Sequence, residues 1–592
     1  MQVLKRHFMR AGAGLMAMAV IGQGSLMAKA SDLDQLFSEH WEYQMRESPT
    51  WATYLGDHRY DDRLPDLSSA AVARQADTLR MFLARVQAIA APGFSRPEDS
   101  LNADLFEREM NQALEDLSYR GHLMPVTQQS GPQIDLPELV NVQPFETVKE
   151  CEDYIARLNA IPAYLQACIG NMREGISVGL VPARITMEKA LPQIDAHLVS
   201  DPAASLLAGG IEKMGEGIPK ADRDRLRDAM LAAIRDSVTP AFRKFAEFVR
   251  NEYLPSCRDS VGLLALPDGK QRYRYLARRY TTTYMDPELI YQIGTRELAR
   301  IHDEMRLVME EVGIEGSLRD FADGLRREPA FFYTTPDSLV QGFKDILATM
   351  DQKLPLLFGR LPKVPYGFRE MESYRAESAP DAYYYPAPED RSRPGYFYIN
   401  TYRPEMRPKY TMEALAYHEA VPGHHLQIGI QQELENLPQF RQHGGYTSFV
   451  EGWALYSEQL PKEVGLYADP FSEFGRLTFD AWRAARLVVD VGIHYYGWDR
   501  DKAIDFFREN TALSDLNIVS EIDRYIAWPG QALAYKIGQL KILELRQKAE
   551  DQLGDRFDIR AFHDELLSDG ALPLDLLEKK MDRWLNDQAA DR

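Results

Sequence analysis

Residues 418–425 read His418-Glu419-Ala420-Val421-Pro422-Gly423-His424-His425, and the whole chain is best read outward from this octapeptide. Three of the chain's twelve histidines fall within it, flanking a glutamate and a Pro-Gly break. The pattern H-E-x-x-H on a helix sets two imidazoles one turn apart on a zinc ion, with the glutamate as general base. Here Pro422 stands where the second imidazole belongs, and proline cannot be a ligand. On an unbroken helix His424 would point roughly 240° away from His418, and His425 would return to the same face about 10 Å along the axis. Neither position meets His418 at one ion through bonds of about 2.0–2.1 Å. Pro422 must therefore disrupt the helix, with Gly423 supplying the φ freedom to loop the chain back. We expect His424 to join His418, by analogy with the Gly-His pairing of H-E-x-G-H sequences, with His425 as the alternative second ligand. A helix that merely carries histidines is the poorer explanation, because a Pro-Gly break among three imidazoles is a bad way to fill a core.

Catalytic zinc sites usually combine three protein ligands with one open position. Downstream, Ser448-Phe449-Val450-Glu451-Gly452-Trp453-Ala454-Leu455-Tyr456-Ser457-Glu458 reads as an apolar, small-residue helix. Glu451 stands out in it as the inward-facing acid and is the expected third ligand. Glu458, two turns on along the same face, is expected behind the ligands. Further on, Arg486, Asp490 and His494 at i, i+4 and i+8 line one helix face. An exposed salt-bridged stripe would explain them. Their neighbours Leu487, Val488, Val489, Val491 and Ile493 instead favour a buried helix, where charges need partners. One use would be a carboxylate holding a zinc-bound imidazole, and another a His494 contact to substrate.

Helical signals surround these motifs. Asp286 is a good N-cap with Pro287 at the first helical position, and Leu289, Ile293, Leu298, Ile301, Met305, Val308 and Val312 follow at the spacing of one buried face. Gly313 reads as the stop. Similar stretches cover Ala70 to Ala90, Ala221 to Glu252, Phe474 to Val491 and Lys536 to Leu553. The exception is Pro362 to Pro408, rich in Pro, Tyr, Gly and Arg, where Tyr396 to Thr401 reads as a short strand after Arg393-Pro394-Gly395.

At 592 residues with 45% hydrophobic and 27% charged composition, the chain is globular, not disordered or fibrous. Its formal charge of −20 disfavours nucleic acid and anionic lipid as partners. Three cysteines cannot staple a chain of this size. Cys151 and Cys168 would lie roughly 25 Å apart on one helix, so the cysteines are expected as small buried hydrophobes unless Pro162 breaks that helix. Lys5, Arg6 and Arg10, the apolar stretch Ala11 to Leu26 and the A-x-A site Ala28-Lys29-Ala30 make residues 1–30 a secretory signal peptide. Gly12, Gly14, Gly22, Gln23 and Gly24 argue against a membrane anchor, and the stretch carries no lipobox cysteine.

Taken together, His-Glu-x-x-Pro-Gly-His-His-Leu-Gln at 418–427 and Glu-Gly-Trp-Ala-Leu-Tyr at 451–456 resemble the bacterial domain-of-unknown-function 885 family. Arg483 to His494 and Arg524 to Lys536 extend the likeness, and Pro267-Asp268-Gly269 and Tyr280 to Thr283 carry it loosely into the N-terminal half. That family is described as similar to zinc-dependent carboxypeptidases and lies near the gluzincins. The resemblance implies a mainly α, large helical gluzincin-like body with a deep cleft and a short substrate-binding β element. Substrate would lie antiparallel along Tyr396 to Thr401, which contains Tyr398. It also implies hydrogen-bond donors after the metal helices, for which Tyr525, Tyr535, Gln531 and Lys536 are candidates.

The expectation is therefore a signal peptide at 1–30 and a single unit at 31–592, with a helical N-terminal half at 31–285 and a metal-site half at 286–592. The unit would be an exported, periplasmic or secreted hydrolase with one zinc per chain, His418, His424 and Glu451 as ligands and Glu419 as general base. A peptide or peptide-like substrate is favoured, with no nucleic acid and no stable membrane insertion after signal cleavage. A zinc hydrolase of other amides or esters and a catalytically silent metal-dependent binder are the alternatives. An intact Glu419 speaks against the silent binder.

Overall fold

Capping chemistry sets the helix boundaries in the computed structural model, which describes residues 32–91, 93–94, 96–371, 380–388, 391, 393–435 and 437–590. The signal-peptide segment 1–30 lies outside the described residues. The helix Val148–Ser177 (α1) opens on a capping box made by Thr147 and Glu150, and it runs through Pro162 without a break. Cys151 and Cys168 are therefore held apart on it, and with Cys257 they are free and buried. Gly269–Thr281 forms α2. The side chain of Asp286 caps Pro287–Glu311 (α3) through the Glu288 amide, and Gly313 follows at φ +71°. The stretch expected from Ala221 to Glu252 is continuous helical chain interrupted by wide turns at Ile234–Val238 and Val249–Tyr253.

The metal-motif region supplies the remaining named helices: Met412–Glu419 (α4), His424–Gln432 (α5), Thr447–Ser457 (α6), Pro470–His494 (α7), Asp515–Ala527 (α8) and Ala534–Leu553 (α9). The described chain is 71% helical, so the fold is mainly α. No helix of the described residues is long and apolar enough to cross a membrane.

Packing joins these helices around α7, which is buried along nearly its whole length. Gly294 lets α3 lie directly on it: a Cβ there would stand 2.7 Å from that of Leu487. One core unites the first helices, through Leu36, Phe82 and Phe106, with Trp453, Leu487 and Leu574 of the C-terminal half. A second core lies within residues 126–257 and includes Tyr154, Phe242 and Tyr253.

The strands Tyr366–Glu370 (β1), Ala382–Tyr385 (β2) and Gly395–Ile399 (β3) make one sheet in the order β1-β3-β2. β3 pairs parallel with β1 and antiparallel with β2. This corrects the expected role of Tyr396 to Thr401. That strand is central, both its hydrogen-bonding sides are filled, and it cannot take up a substrate strand. Tyr398 pairs with Arg369 and Tyr383, and its ring stacks on Tyr383 at 4.8 Å. The strand on the side of the metal motif is β2.

Candidate metal centre

The break between α4 and α5 is real, but its chemistry differs from the expected one. Gly423 has φ −80° and ψ −127°, so positive φ is not why glycine is needed. Closeness is the reason: a Cβ at 423 would stand 1.9 Å from the His418 carbonyl oxygen and 2.4 Å from that of Tyr417. The chain folds back against the last turn of α4, with a cis Val421–Pro422 bond, and then restarts as α5 at His424. Two bonds fasten the junction. The His425 amide donates to Ala420 O at 3.1 Å, and the Trp453 indole N–H donates to Pro422 O at 3.0 Å. The tryptophan of Glu-Gly-Trp thus clamps the loop that the first motif makes.

Three expected ligands come together there. Oε2 of Glu451 lies 3.6 Å from Nε2 of His418 and 3.6 Å from Nε2 of His424, and all three atoms lie within 4.8 Å of one another. Tetrahedral bonds of about 2.05 Å would separate ligand atoms by about 3.3 Å. The set is therefore spaced for a small cation and is too long for direct hydrogen bonds. Oε2 of Glu451 is buried without a hydrogen-bond partner among the described residues, as an acid shared by two imidazoles around a cation would be. Two nitrogens and one carboxylate oxygen also match the chemistry of zinc.

Electrostatics point the same way. Burial works against charge on His418, but Glu451 and Glu458 outweigh it and hold the imidazole pKa up at about 9. Burial likewise opposes ionisation of Glu451, yet His418 and His424, helped by the Tyr535 hydroxyl, bring it down to about 2. Burial lowers the pKa of His424. The cluster thus keeps its carboxylate ionised and favours positive charge at one point.

Glu458 sits where the sequence suggested. Its Oε1 meets Nδ1 of His418 at 2.7 Å, leaving Nε2 to face Glu451. Behind it, Arg483 Nη2 lies 3.6 Å from the same oxygen, a partner the sequence motif contained but did not single out. A carboxylate on the far imidazole nitrogen orients the ring and raises its basicity. Replacing Glu458 by Gln should therefore weaken metal affinity about 10–100-fold with the fold kept, as read by competition with a chelator.

His425 faces elsewhere. Its Nδ1 meets the Tyr384 hydroxyl at 2.9 Å, its ring packs beside Tyr366, and burial takes its pKa down to about 4. The alternative assignment of His425 as second ligand is therefore not what the geometry brings together. Glu419, half-buried, is fixed by β2: the Tyr384 amide donates to its Oε2 at 2.9 Å. The Asn400 amide donates to Asp381 O at 3.0 Å, and the β2–β3 register then puts the backbone groups of Ala382 and Tyr384 on the outer side of β2. In the sequence Tyr384 is one tyrosine of the Pro- and Tyr-rich segment Pro362 to Pro408, with nothing to single it out.

The donors expected after the metal helices divide. Tyr535 reaches Glu451 because α6 and α9 cross at glycine: a Cβ on Gly452 would lie 2.5 Å from Gly538 Cα, and one on Gly538 1.8 Å from Ser448 O. Tyr525 is not available as a donor to substrate. Its buried hydroxyl donates to Glu521 at 2.6 Å and accepts from Arg486 Nε at 2.9 Å and Trp482 Nε1 at 3.1 Å. Gln531 is held by Arg524, and Lys536 is buried against Asp480 at 2.6 Å and Gln539 at 2.8 Å.

The buried face of α7 also departs from the expectation. Asp490 accepts from Tyr273 at 2.6 Å and from the Gly530 amide at 3.0 Å, and His494 meets Tyr525 O at 3.0 Å. Neither holds a ligand imidazole. These contacts pin the segment after α8 onto α7, while Arg486 stacks 4.4 Å from the Tyr535 ring.

Comparison with known proteins agrees with the fold. A crystal structure from Colwellia psychrerythraea, provisionally described as a lipoprotein, is 28% identical with a TM-score of 0.88, over 94% of this chain and 99% of its own. A solved structure from Shewanella oneidensis, provisionally described as a lipoprotein of unknown function, shares the fold at 18% identity and a TM-score of 0.72, over 93% of this chain and 99% of its own. No curated protein matches. The family model "Bacterial protein of unknown function (DUF885)" matches residues 49–581, nearly the whole described chain, and the protein belongs to that family.

Proposed function

We propose that the protein is an exported zinc-dependent hydrolase acting on peptides. The observation that carries this reading is the convergence of His418, His424 and Glu451 beside a glutamate that is not one of the cluster and is tied to a strand edge. A pure binding site needs only the three ligands, whereas Glu419 adds a carboxylate beside them that is placed to move a proton. The lipoprotein description of both structural neighbours, together with the basic and apolar leader read from residues 1–30, supports export.

Zinc in this cluster would supply Lewis acidity and a water of lowered pKa. Glu419, oriented by the Tyr384 amide, takes the proton of the attacking water and returns it to the leaving amine. Tyr535, brought to the cluster by the Gly452–Gly538 crossing, turns its hydroxyl from Glu451 to the oxygen on which charge develops. Glu458 keeps the His418 ring turned with Nε2 inward. The outer edge of β2 offers the Ala382 amide and the Ala382 and Tyr384 carbonyls to an extended chain laid beside it.

Metal analysis should give about one zinc per chain, lost in Glu451→Ala. An internally quenched peptide library should be cleaved by the zinc-loaded protein and not after chelation. Tyr535→Phe should retain zinc and lose about 10–100-fold in kcat with little change in KM, the signature of a contact made in the transition state. Absence of cleavage across the library by a zinc-loaded protein would overturn the peptidase assignment.

A further inference from the structure

Away from the metal centre, α2, the turn near Gly121 and the end of α8 line an open recess of about 210 Å3. Tyr119 and Tyr275, stacked at 4.7 Å, form one wall, and Leu276 and Ile526 extend the apolar lining. Two guanidiniums, Arg258 and Arg272, line it as well. Every hydrogen bond they make goes to a backbone carbonyl: Arg258 to Val181, Ser260 and Gly262, and Arg272 to Pro267 and Tyr119. Among the described residues neither pairs with a carboxylate, and Nη2 of each is left without a hydrogen bond. The acid of the lining, Asp116, is already engaged by the Tyr275 hydroxyl and by Arg279 at 3.2 Å.

Two half-buried guanidiniums with no carboxylate partner present a ready site for an anion. Burial brings the Arg258 guanidinium down to about 10, the direction expected of a positive charge short of one. Planar guanidiniums suit carboxylates, and stacked tyrosines suit a flat or aliphatic body.

We propose that this recess binds a small organic carboxylate, its anionic group on Arg258 and Arg272 and its apolar body along the Tyr119–Tyr275 wall. No member of the metal cluster lines it, so the site is separate from the one assigned above and does not depend on that assignment.

Calorimetric titration of the full zinc-loaded chain with indole-3-acetate, indole-3-ethanol and tryptamine tests it, since the three share one ring and differ in charge. Indole-3-acetate should bind one per chain, at least about tenfold tighter than the neutral alcohol, as a charged hydrogen bond provides; tryptamine should not bind. Arg272→Gln should erase the preference for the anion, and Ala527→Trp, which fills the recess from its edge, should abolish binding, with melting temperature and zinc content as controls. The same titration on Glu451→Ala should be unchanged. No binding of indole-3-acetate, equal binding of the alcohol, survival of binding in Ala527→Trp or its loss in Glu451→Ala would each overturn the proposal.

Discussion

Glu419→Gln should keep its zinc and its fold while turnover falls by about three orders of magnitude or more. The structure explains why the two properties separate. Glu419 contributes no atom to the group formed by His418, His424 and Glu451, so its charge is not needed to hold the ion. Its carboxylate accepts the Tyr384 amide, and a glutamine carbonyl can still accept that bond, so β2 should stay in place. What glutamine cannot do is take a proton. The expected loss lies in the upper half of the usual range or beyond it, because one residue serves both the attack and the departure of the amine. Near-normal kcat/KM in a fully metallated Glu419→Gln protein would end the general-base mechanism.

The sequence carried the metal cluster further than it carried the surroundings, for physical reasons. His418, His424 and Glu451 were legible because zinc chemistry restricts residue types and because the Pro422–Gly423 break leaves few ways to align two imidazoles. Helices such as α3 were legible through Asp286, Pro287 and Gly313, whose effects are local. Pairing within the sheet was not: residues 396–401 have the composition of a strand, but nothing in them tells a central strand from an edge. Tyr525 failed for a related reason. Its place in the motif suggests a donor, whereas its partners Glu521, Arg486 and Trp482 come from two helices whose approach is fixed only by tertiary packing. Arg483 behind Glu458 was hidden in the same way, one charged residue among several on a buried helix.

Gly423→Ala should destroy zinc binding, lowering affinity by more than about 100-fold, since it displaces a ligand and losing a mere support of one costs about 10–100-fold. The added methyl would meet the carbonyl oxygens of His418 and Tyr417 and the His418 carbonyl carbon at 1.9, 2.4 and 2.5 Å. All of these are backbone atoms at the end of α4, so no side chain can rotate aside. The clash is relieved only by lifting the start of α5 away from α4, and the first residue of α5 is His424. His418 and Glu451 stay where α4 and α6 hold them, so the three-atom group opens at one corner. Alanine favours continuous helix as well, by about 1 kcal/mol over glycine, which biases the junction further against the fold-back. Far-UV circular dichroism should remain close to that of the parent, since the long helices and the residue 126–257 core lie outside the junction. Trp453→Phe gives a graded companion: it removes the indole donor to Pro422 O along with part of a buried ring, leaves the close approach of Gly423 intact, and should weaken zinc less than Gly423→Ala does. Full zinc occupancy in a folded Gly423→Ala protein would mean that the close approach of Gly423 to α4 does not set the position of His424, and the fold-back explanation of the motif would fail.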